Sequence, residues 1–290
     1  MPDFKPFIVS GLALGAIYSL SGVGIVLLYR ASGVLNLAYG AIGAVGAFVA
    51  WQLMQDGNGE GLSILVAVAA ATALCLAYGL LVAPLLAGRE PVVQAAATLG
   101  YALVLLGFCL VNWGTEPRLL ELSTTLEGFE VFDVHVNYTQ VIALATGLVL
   151  TVATSIALRR SRVGVSMRAL ANDRELSALL GVRVRRTEAV AWALSGVIAG
   201  VSGVLLASLV RLDSNTLTFL VIASLAAAVL GRLRSLYAVF AGGLVIGVVE
   251  ACATPVSSIS SYSGMAPFLI AIVAMIGFDL SGRGVEGRSA

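Results

Sequence analysis

Few side chains in this sequence have the chemistry for catalysis. The single histidine, His135, lies among acidic residues and far in sequence from any serine in a nucleophile motif. The sequence has no Gly-x-Ser-x-Gly turn, no phosphate-binding glycine loop and no cluster with metal-ligand spacing. A protease or esterase needs a nucleophile beside a base. We therefore predict a chain that is not an enzyme, has no catalytic residues and holds no metal or cofactor of its own.

Acidic residues inside apolar stretches are the remaining reactive groups, and they are sparse. Glu250 lies near the outer end of an apolar run, where burial costs a few kcal/mol unless the carboxylate finds a partner. It is therefore a candidate pathway residue for a transported ion or solute. An interfacial glutamate that reaches headgroups or water explains it equally well. One buried acid gives little support for ion-driven transport.

The composition predicts an all-α, polytopic transmembrane helix bundle. Hydrophobic residues make up 59% of the chain and charged residues 11%, and the mean hydropathy is +0.99, which excludes a soluble globular domain. A helix needs roughly 20 residues to cross a bilayer. Eight or nine crossings are expected, because two of the nine runs are short: Phe7 to Leu28, Val34 to Met54, Leu62 to Leu86, Val92 to Val111, Tyr138 to Leu158, Ala189 to Val210, Leu217 to Leu230, Leu236 to Ala253 and Met265 to Leu280.

Charge sets the expected orientation of a single transmembrane domain covering residues 1–290. The loop 159–188 holds eight of the 17 basic residues, which places it in the cytoplasm, with the N-terminus outside and the C-terminus inside. With a net charge of +1, the chain offers no basic face for nucleic acid. The loop 112–137 is acidic and faces outward, either as a solvated cap or as a docking surface. Its Val131, Phe132, Val134 and Val136 favour a small strand or an interfacial turn.

The cytoplasmic loop contains a helix-like pattern. Apolar and polar residues alternate from Val165 to Leu180, and Gly181 follows as a helix stop. The pattern predicts a short amphipathic helix at the membrane face. Such a helix is either a docking ridge for a soluble cytoplasmic partner or part of a solvated linker whose arginines only fix topology.

Glycines recur within the apolar runs at a spacing typical of close helix packing. The pairs Gly11 and Gly15, Gly196 and Gly200, and Gly243 and Gly247 each have the small-xxx-small spacing that lets helix backbones approach. The pairs predict a tightly packed bundle, and the motif is too common to indicate a function.

The cytoplasmic loop contains a set of short motifs: a basic pair, Ser-Arg-x-Gly, Arg-Ala, Asn-Asp and an Ala shortly before Leu-Gly. The residues are Arg159, Arg160, Ser161, Arg162, Gly164, Arg168, Ala169, Asn172, Asp173, Ala178, Leu180 and Gly181. This set resembles the cytoplasmic loop of the permease subunits of branched-chain amino-acid ABC importers, in which an Asn or Glu stands beside the Asp. Residues 11–48 and 226–251 resemble the opening and the penultimate helices of the same family, and the length fits the shorter of its two permease types.

The resemblance implies a translocation subunit in the cytoplasmic (inner) membrane of a bacterium. Its partners would be a second, homologous permease, two cytoplasmic ATPases that bind ATP and Mg²⁺, an extracytoplasmic solute-binding protein and membrane lipid. The loop helix would be the coupling helix, with these residues at the ATPase groove: Arg168, Asn172, Asp173, Glu175, Ala178, Leu179 and Gly181. The substrate path would use Tyr18, Asn36, Tyr39, Gly40, Thr98 and Glu250. Polar groups in an apolar bundle also serve simply to tie helices together.

The sequence departs from the family pattern at positions that bear on cargo. Tyr39 stands where the family has histidine, and Arg232 and Arg234 interrupt a glycine-rich turn. The cargo expected is therefore a branched-chain amino acid or a related small amphipathic solute with a carboxylate or amide. Two other functions stay open: a stand-alone secondary transporter that uses Glu250, and a membrane scaffold that transports nothing.

Overall fold

The computed structural model describes residues 4–131, 134–219, 221–255 and 264–286. It is a bundle of α-helices with one small hairpin. Within the described residues, six helices are long and apolar enough to cross a membrane. Shorter apolar helices fill the remaining predicted runs. The fold is therefore mostly helical, which is consistent with the polytopic membrane helix bundle that the composition predicts.

The elements follow the apolar runs closely. The helices are α1 (Lys5–Ser32), α2 (Tyr39–Gln55), α3 (Glu60–Ala77), α4 (Pro91–Trp113), α5 (Ser123–Leu126), α6 (Tyr138–Arg160), α7 (Arg162–Asn172), α8 (Arg174–Leu179), α9 (Val184–Leu209), α10 (Ser214–Phe219), α11 (Val221–Leu230), α12 (Leu236–Ala253) and α13 (Ala266–Glu286). A π-helical turn (Tyr78–Val82) and a 3₁₀ turn (Ala83–Leu86) extend α3, and the strands are β1 (Gly128–Val131) and β2 (Val134–Asn137).

Helix α1 forms the centre of the bundle. Of its most apolar 18-residue window, 89% is buried, against 22% for α4 and 28% for α6. The reason is its composition, since glycine, alanine and serine are frequent in α1 and let neighbouring helices approach on all sides. Helices α4 and α6 instead expose large apolar side chains, which suit contact with lipid or with another transmembrane subunit.

The predicted glycine pairs form the contact between α1 and α12. A β-carbon at Gly11 would lie 2.7 Å from the Gly247 carbonyl oxygen, and one at Gly15 would lie 2.7 Å from the Gly243 carbonyl oxygen. Side chains larger than hydrogen are therefore excluded along this line of contact, the α1–α12 glycine seam. The prediction of close helix packing from these glycines is confirmed.

A second glycine contact joins α9 to α3. A β-carbon at Gly196 would lie 2.7 Å from the Thr72 Cα, and one at Gly200 would lie 2.8 Å from the Val68 Cα. The two glycine contacts hold α12 and α3 against α1 and α9, which also touch each other. The interior surfaces of α1, α2 and α9 are thereby fixed in place.

The loop 112–137 is anchored to the bundle through Arg118. Its guanidinium lies 4.0 Å from the Trp51 ring centroid and donates a hydrogen bond to the Trp113 carbonyl oxygen at 2.6 Å. Strands β1 and β2 pair in antiparallel register, so the predicted strand is confirmed. Phe132, also part of that prediction, lies outside the described residues. The choice between solvated cap and docking surface stays open.

Candidate translocation path and coupling segment

The chain between α1 and α2 crosses the bundle without helical hydrogen bonds. Gly33 ends α1 in the left-handed conformation, with φ of 74°. The Leu37 N–H donates to the Thr98 hydroxyl oxygen at 3.0 Å, and that hydroxyl lies 3.0 Å from the Leu35 carbonyl oxygen. Non-helical backbone within a membrane bundle needs such partners inside the protein. Thr98, predicted to lie on the substrate path, thus ties α4 to the α1–α2 link.

Asn36 occupies the same link and is 1% exposed. Its side-chain oxygen accepts a hydrogen bond from the Ala38 N–H at 3.0 Å, just before α2 begins. The run predicted from Val34 therefore becomes helical only at Tyr39. The Asn36 amide nitrogen has no hydrogen-bond partner. A buried donor without a partner costs about 1–3 kcal/mol, so a bound water or solute atom would stabilise it.

The first residues of α2, Tyr39 and Gly40, are held by close packing. Tyr39 is 2% exposed, and its ring fills the space beside Gly24, which leaves no room for a β-carbon there. Its hydroxyl faces Ser202 without a hydrogen bond of normal geometry. At Gly40, a β-carbon would lie 2.9 Å from the Leu217 carbonyl oxygen. Gly40 is therefore required for contact between α2 and α10.

A small cavity lies between α1, α2, α9, α10 and α11. Its polar lining residues are Tyr18, Ser21, Tyr39, Ser202 and Ser224, and Gly40 is among its small ones. The volume is about 20 Å³, enough for about one water molecule and far too small for an amino acid. No amino acid fits in this cavity in the present conformation.

Glu250 lies outside the cavity, on α12 opposite α1. Its carboxylate faces the Tyr18 hydroxyl, and its Oε2 atom is buried without a hydrogen-bond partner. Tyr18 thus lies between the cavity and Glu250. Of the six predicted path residues, Tyr18, Tyr39 and Gly40 line the cavity, whereas Asn36, Thr98 and Glu250 do not.

The sequence-based prediction missed three serines of the cavity: Ser21, Ser202 and Ser224. Serine is common in packed membrane helices and often bonds its own backbone, as Ser202 does to the Ala199 carbonyl oxygen at 3.1 Å. No local pattern separates a cavity serine from a packing serine. Only the pairing of helices distinguishes them.

The coupling segment, residues 159–188, contains two helices where the sequence pattern predicts one. Helix α7 ends at Asn172, and α8 begins at Arg174. Asp173 between them is extended, with φ of −155° and ψ of 110°, and its carboxylate accepts a hydrogen bond from the Leu176 N–H at 2.9 Å. Asp173 is therefore the N-cap of α8. The prediction of a single helix from Val165 to Leu180 was wrong, because the alternation of apolar residues continues across Asp173 and gives no sign of the cap.

The end of α8 follows the prediction. Gly181 has φ of 87°, and its N–H donates to the Ala178 carbonyl oxygen at 3.0 Å. A left-handed glycine after the last turn is a common helix stop. The prediction that Gly181 ends the helix is confirmed.

The residues predicted to contact an ATPase are all exposed: Arg168, Asn172, Asp173, Glu175, Ala178, Leu179 and Gly181. Two leucines stand out, since Leu179 is 86% exposed and Leu180 is 77% exposed. They adjoin the charged residues of α8 on a segment rich in arginine. We call residues 172–181 the coupling ridge. Its tip is apolar and is flanked by charged side chains.

The coupling ridge is held against the helix bundle by α7 and α9. Met167 and Leu170 of α7 are buried, and the Arg174 guanidinium forms an ion pair with the Glu188 carboxylate at the start of α9. Helix α7 also contacts α1 and α6. A displacement of the ridge would therefore be transmitted to three helices of the bundle.

Comparison with known proteins places the chain in a family. The family model for the branched-chain amino acid transport system / permease component matches residues 7–275. The permease protein LivH of the high-affinity branched-chain amino acid transport system of Escherichia coli K12 is 24% identical over 293 residues, covering 96% of this chain and 94% of its own. The corresponding protein BraD of Pseudomonas aeruginosa is 25% identical, with 95% of each chain covered.

An archaeal relative and one solved structure extend the comparison. The probable branched-chain amino acid transport permease LivH of Methanocaldococcus jannaschii is 29% identical over 247 residues, covering 81% of this chain and 76% of its own. The structure of PsaBC from Streptococcus pneumoniae in complex with Fab covers 95% of this chain and 90% of that one, with a TM-score of 0.49 and 14% identity. That structural likeness is too distant to inform the path. The match of the family model over residues 7–275 shows that the chain belongs to the family of branched-chain amino acid transport permease components.

Proposed function

We propose that the chain is the translocation subunit of an ABC importer in the cytoplasmic membrane of a bacterium. It moves branched-chain amino acids, or a related small amphipathic solute with a carboxylate or amide, by ATP-driven alternating access. The chain itself hydrolyses nothing, because ATP and Mg²⁺ are bound by separate ATPase subunits. Membership of the permease family supports the transport class.

The coupling ridge is the observation that carries this proposal. Leu176, Leu179 and Leu180 are all exposed and share one helix face. A cluster of exposed apolar side chains is typical of a surface that a partner covers. The seven exposed residues named above meet the groove of an ATPase subunit. Closing of the ATPase pair on ATP moves the ridge, and α7 carries that movement to the bundle.

The closed cavity supports alternating access as the mechanism. A cavity of about 20 Å³ excludes the solute, so the helices around it have to separate before anything passes. The apolar lining with a few hydroxyls suits a solute that has both a hydrocarbon side chain and polar groups.

The complete transporter contains further subunits. A second, homologous permease completes the path, two ATPases bind at the cytoplasmic side, and an extracytoplasmic solute-binding protein delivers cargo near residues 112–137. The orientation has the N-terminus outside, the C-terminus in the cytoplasm and eight or nine crossings. The arginines of the coupling segment favour this orientation.

Uptake by proteoliposomes tests the proposal. The complex that contains this chain is reconstituted into vesicles of a bacterial lipid mixture. The binding protein and radiolabelled leucine, isoleucine and valine are supplied on the side opposite the ATPases, with or without ATP on the ATPase side. We expect uptake only with ATP and its loss when Gly181→Trp disrupts the ridge, whose glycine has φ of 87°. Equal uptake with and without ATP would exclude an ATP-driven importer.

A further inference from the structure

A large cleft opens beside the coupling segment, between the end of α1, helix α7 and the turn that joins α11 to α12. Its volume is about 900 Å³. Five arginines line it: Arg30, Arg168, Arg174, Arg232 and Arg234. None of the lining residues that the structure describes is acidic. We call this feature the arginine cleft.

Within the described residues, one arginine of the cleft forms an ion pair and two others carry like charges at close range. Arg174 is paired with Glu188, which lies outside the cleft lining. The Arg30 guanidinium donates a hydrogen bond to the Arg234 backbone oxygen at 3.1 Å and lies within electrostatic range of Arg168. Like charges held this close repel one another in a partly buried site. A multivalent anion would relieve that repulsion and accept several charge-assisted hydrogen bonds at once.

The backbone of the α11–α12 turn is strained at the cleft. Arg232 and Leu233 have φ of 52° and 53°, and they are the only non-glycine residues with positive φ in the part of the chain that the structure describes. Glycine takes this conformation without the steric cost that other residues bear. Strain at consecutive residues is often kept where it serves a site. Here the strained turn brings two arginines to the cleft wall.

We propose that the arginine cleft binds a phosphate-bearing polyanion. Guanidinium groups match phosphate oxygens in two-point hydrogen bonds, and basic pockets at the cytoplasmic ends of membrane helices suit lipids with phosphate headgroups. The cleft is large enough for a ligand that carries two phosphates, and several arginines suit several phosphate oxygens. A diphosphate lipid headgroup and a free polyphosphate share this chemistry. The ligand links α1, α7 and the α11–α12 turn, and so it reduces movement of the coupling segment relative to these parts of the bundle.

Binding to the purified full-length chain tests this proposal independently of transport. Pyrophosphate is titrated into chain in phosphatidylcholine nanodiscs, and the unfolding temperature is compared between nanodiscs with and without cardiolipin. The test variant is Arg232→Gln with Arg234→Gln, which leaves the Arg234 backbone acceptor of Arg30 in place. The matched control is Arg160→Gln with Arg186→Gln, since both are exposed and neither lines the cleft.

We expect saturable stabilisation by pyrophosphate, by cardiolipin or by both, because tight binding to the folded state raises its unfolding temperature. Loss of two guanidiniums should weaken the affinity at least about tenfold, whereas the control should bind as wild type does. Stabilisation by cardiolipin alone identifies a lipid site, and by pyrophosphate alone a site for a soluble polyphosphate.

Absence of both effects, or equal weakening in the control, would overturn the proposal. If the double variant unfolds before titration, Arg234→Gln alone is tested by the same criteria. Failure of ATP-driven uptake would leave this binding result untouched, so the two proposals fail separately.

Discussion

The cap at Asp173 gives the sharpest prediction of the coupling account. Its carboxylate satisfies the Leu176 N–H at 2.9 Å and so holds the first turn of α8. Asp173→Ala removes the cap, while Asp173→Asn keeps a side-chain oxygen at the same position. Both variants remove the negative charge. The pair therefore separates capping from charge at the coupling ridge.

The magnitude follows from the size of the helix. Loss of an N-cap costs about 1 kcal/mol, and α8 has only six residues, too few for stability on its own. A change of about 1 kcal/mol shifts a local equilibrium about fivefold. We expect the unwound population of α8 to rise about fivefold in Asp173→Ala and to change less than twofold in Asp173→Asn.

Two assays follow the helix and its consequence. Hydrogen exchange with mass spectrometry reports opening of α8 in the assembled complex, where faster exchange at 174–180 is expected in Asp173→Ala. The ratio of solute imported to ATP hydrolysed reports coupling, and it should fall in Asp173→Ala and hold in Asp173→Asn. If α8 opens faster while the ratio stays at the wild-type value, α8 is not the coupling element.

Three further predictions concern the bundle and the rival function. Gly247→Ala forces a β-carbon against the α1 backbone and should destabilise the chain by about 1–3 kcal/mol, measured by unfolding in detergent. The control Gly107→Ala, which has open space at its β-carbon, should not destabilise it. Equal effects of the two variants would refute the α1–α12 glycine seam. Thr98→Val leaves backbone groups of the α1–α2 link unpaired and should cost about 1–3 kcal/mol, whereas Thr98→Ser should be nearly neutral; indistinguishable unfolding curves would count against this tie. Glu250→Gln should retain ATP-driven uptake with an unchanged pH profile, while uptake that needs no ATP and is abolished by Glu250→Gln would favour a secondary transporter.

Hydropathy predicted the helices well because each membrane crossing is set by a long apolar run. It failed where a few polar atoms end a helix. Asn36 delays the start of α2, and Asp173 divides the coupling helix in two. In both cases a nearby backbone N–H donates a hydrogen bond to the side-chain oxygen, and an average over many residues hides such a bond. Asp173, three residues before the apolar Leu176, was nevertheless a readable capping signal.

The sites were harder to predict because they join distant segments. Tyr39 and Ser202 come together only when α2 packs on α9. The arginine cleft likewise draws Arg30, Arg168 and Arg232 from three parts of the chain. Arg232 was noticeable in the sequence as a departure from a glycine-rich family pattern. Its left-handed backbone explains why glycine suits that position, and the cleft gives a reason for arginine.

Purification of the tagged chain in mild detergent, with mass spectrometry of its partners and an ATPase assay, tests the central claim most directly. An importer permease should bring along two copies of an ATPase and a second permease, and the purified assembly should hydrolyse ATP faster when loaded binding protein is added. A chain that purifies alone and shows no ATPase activity would contradict the account.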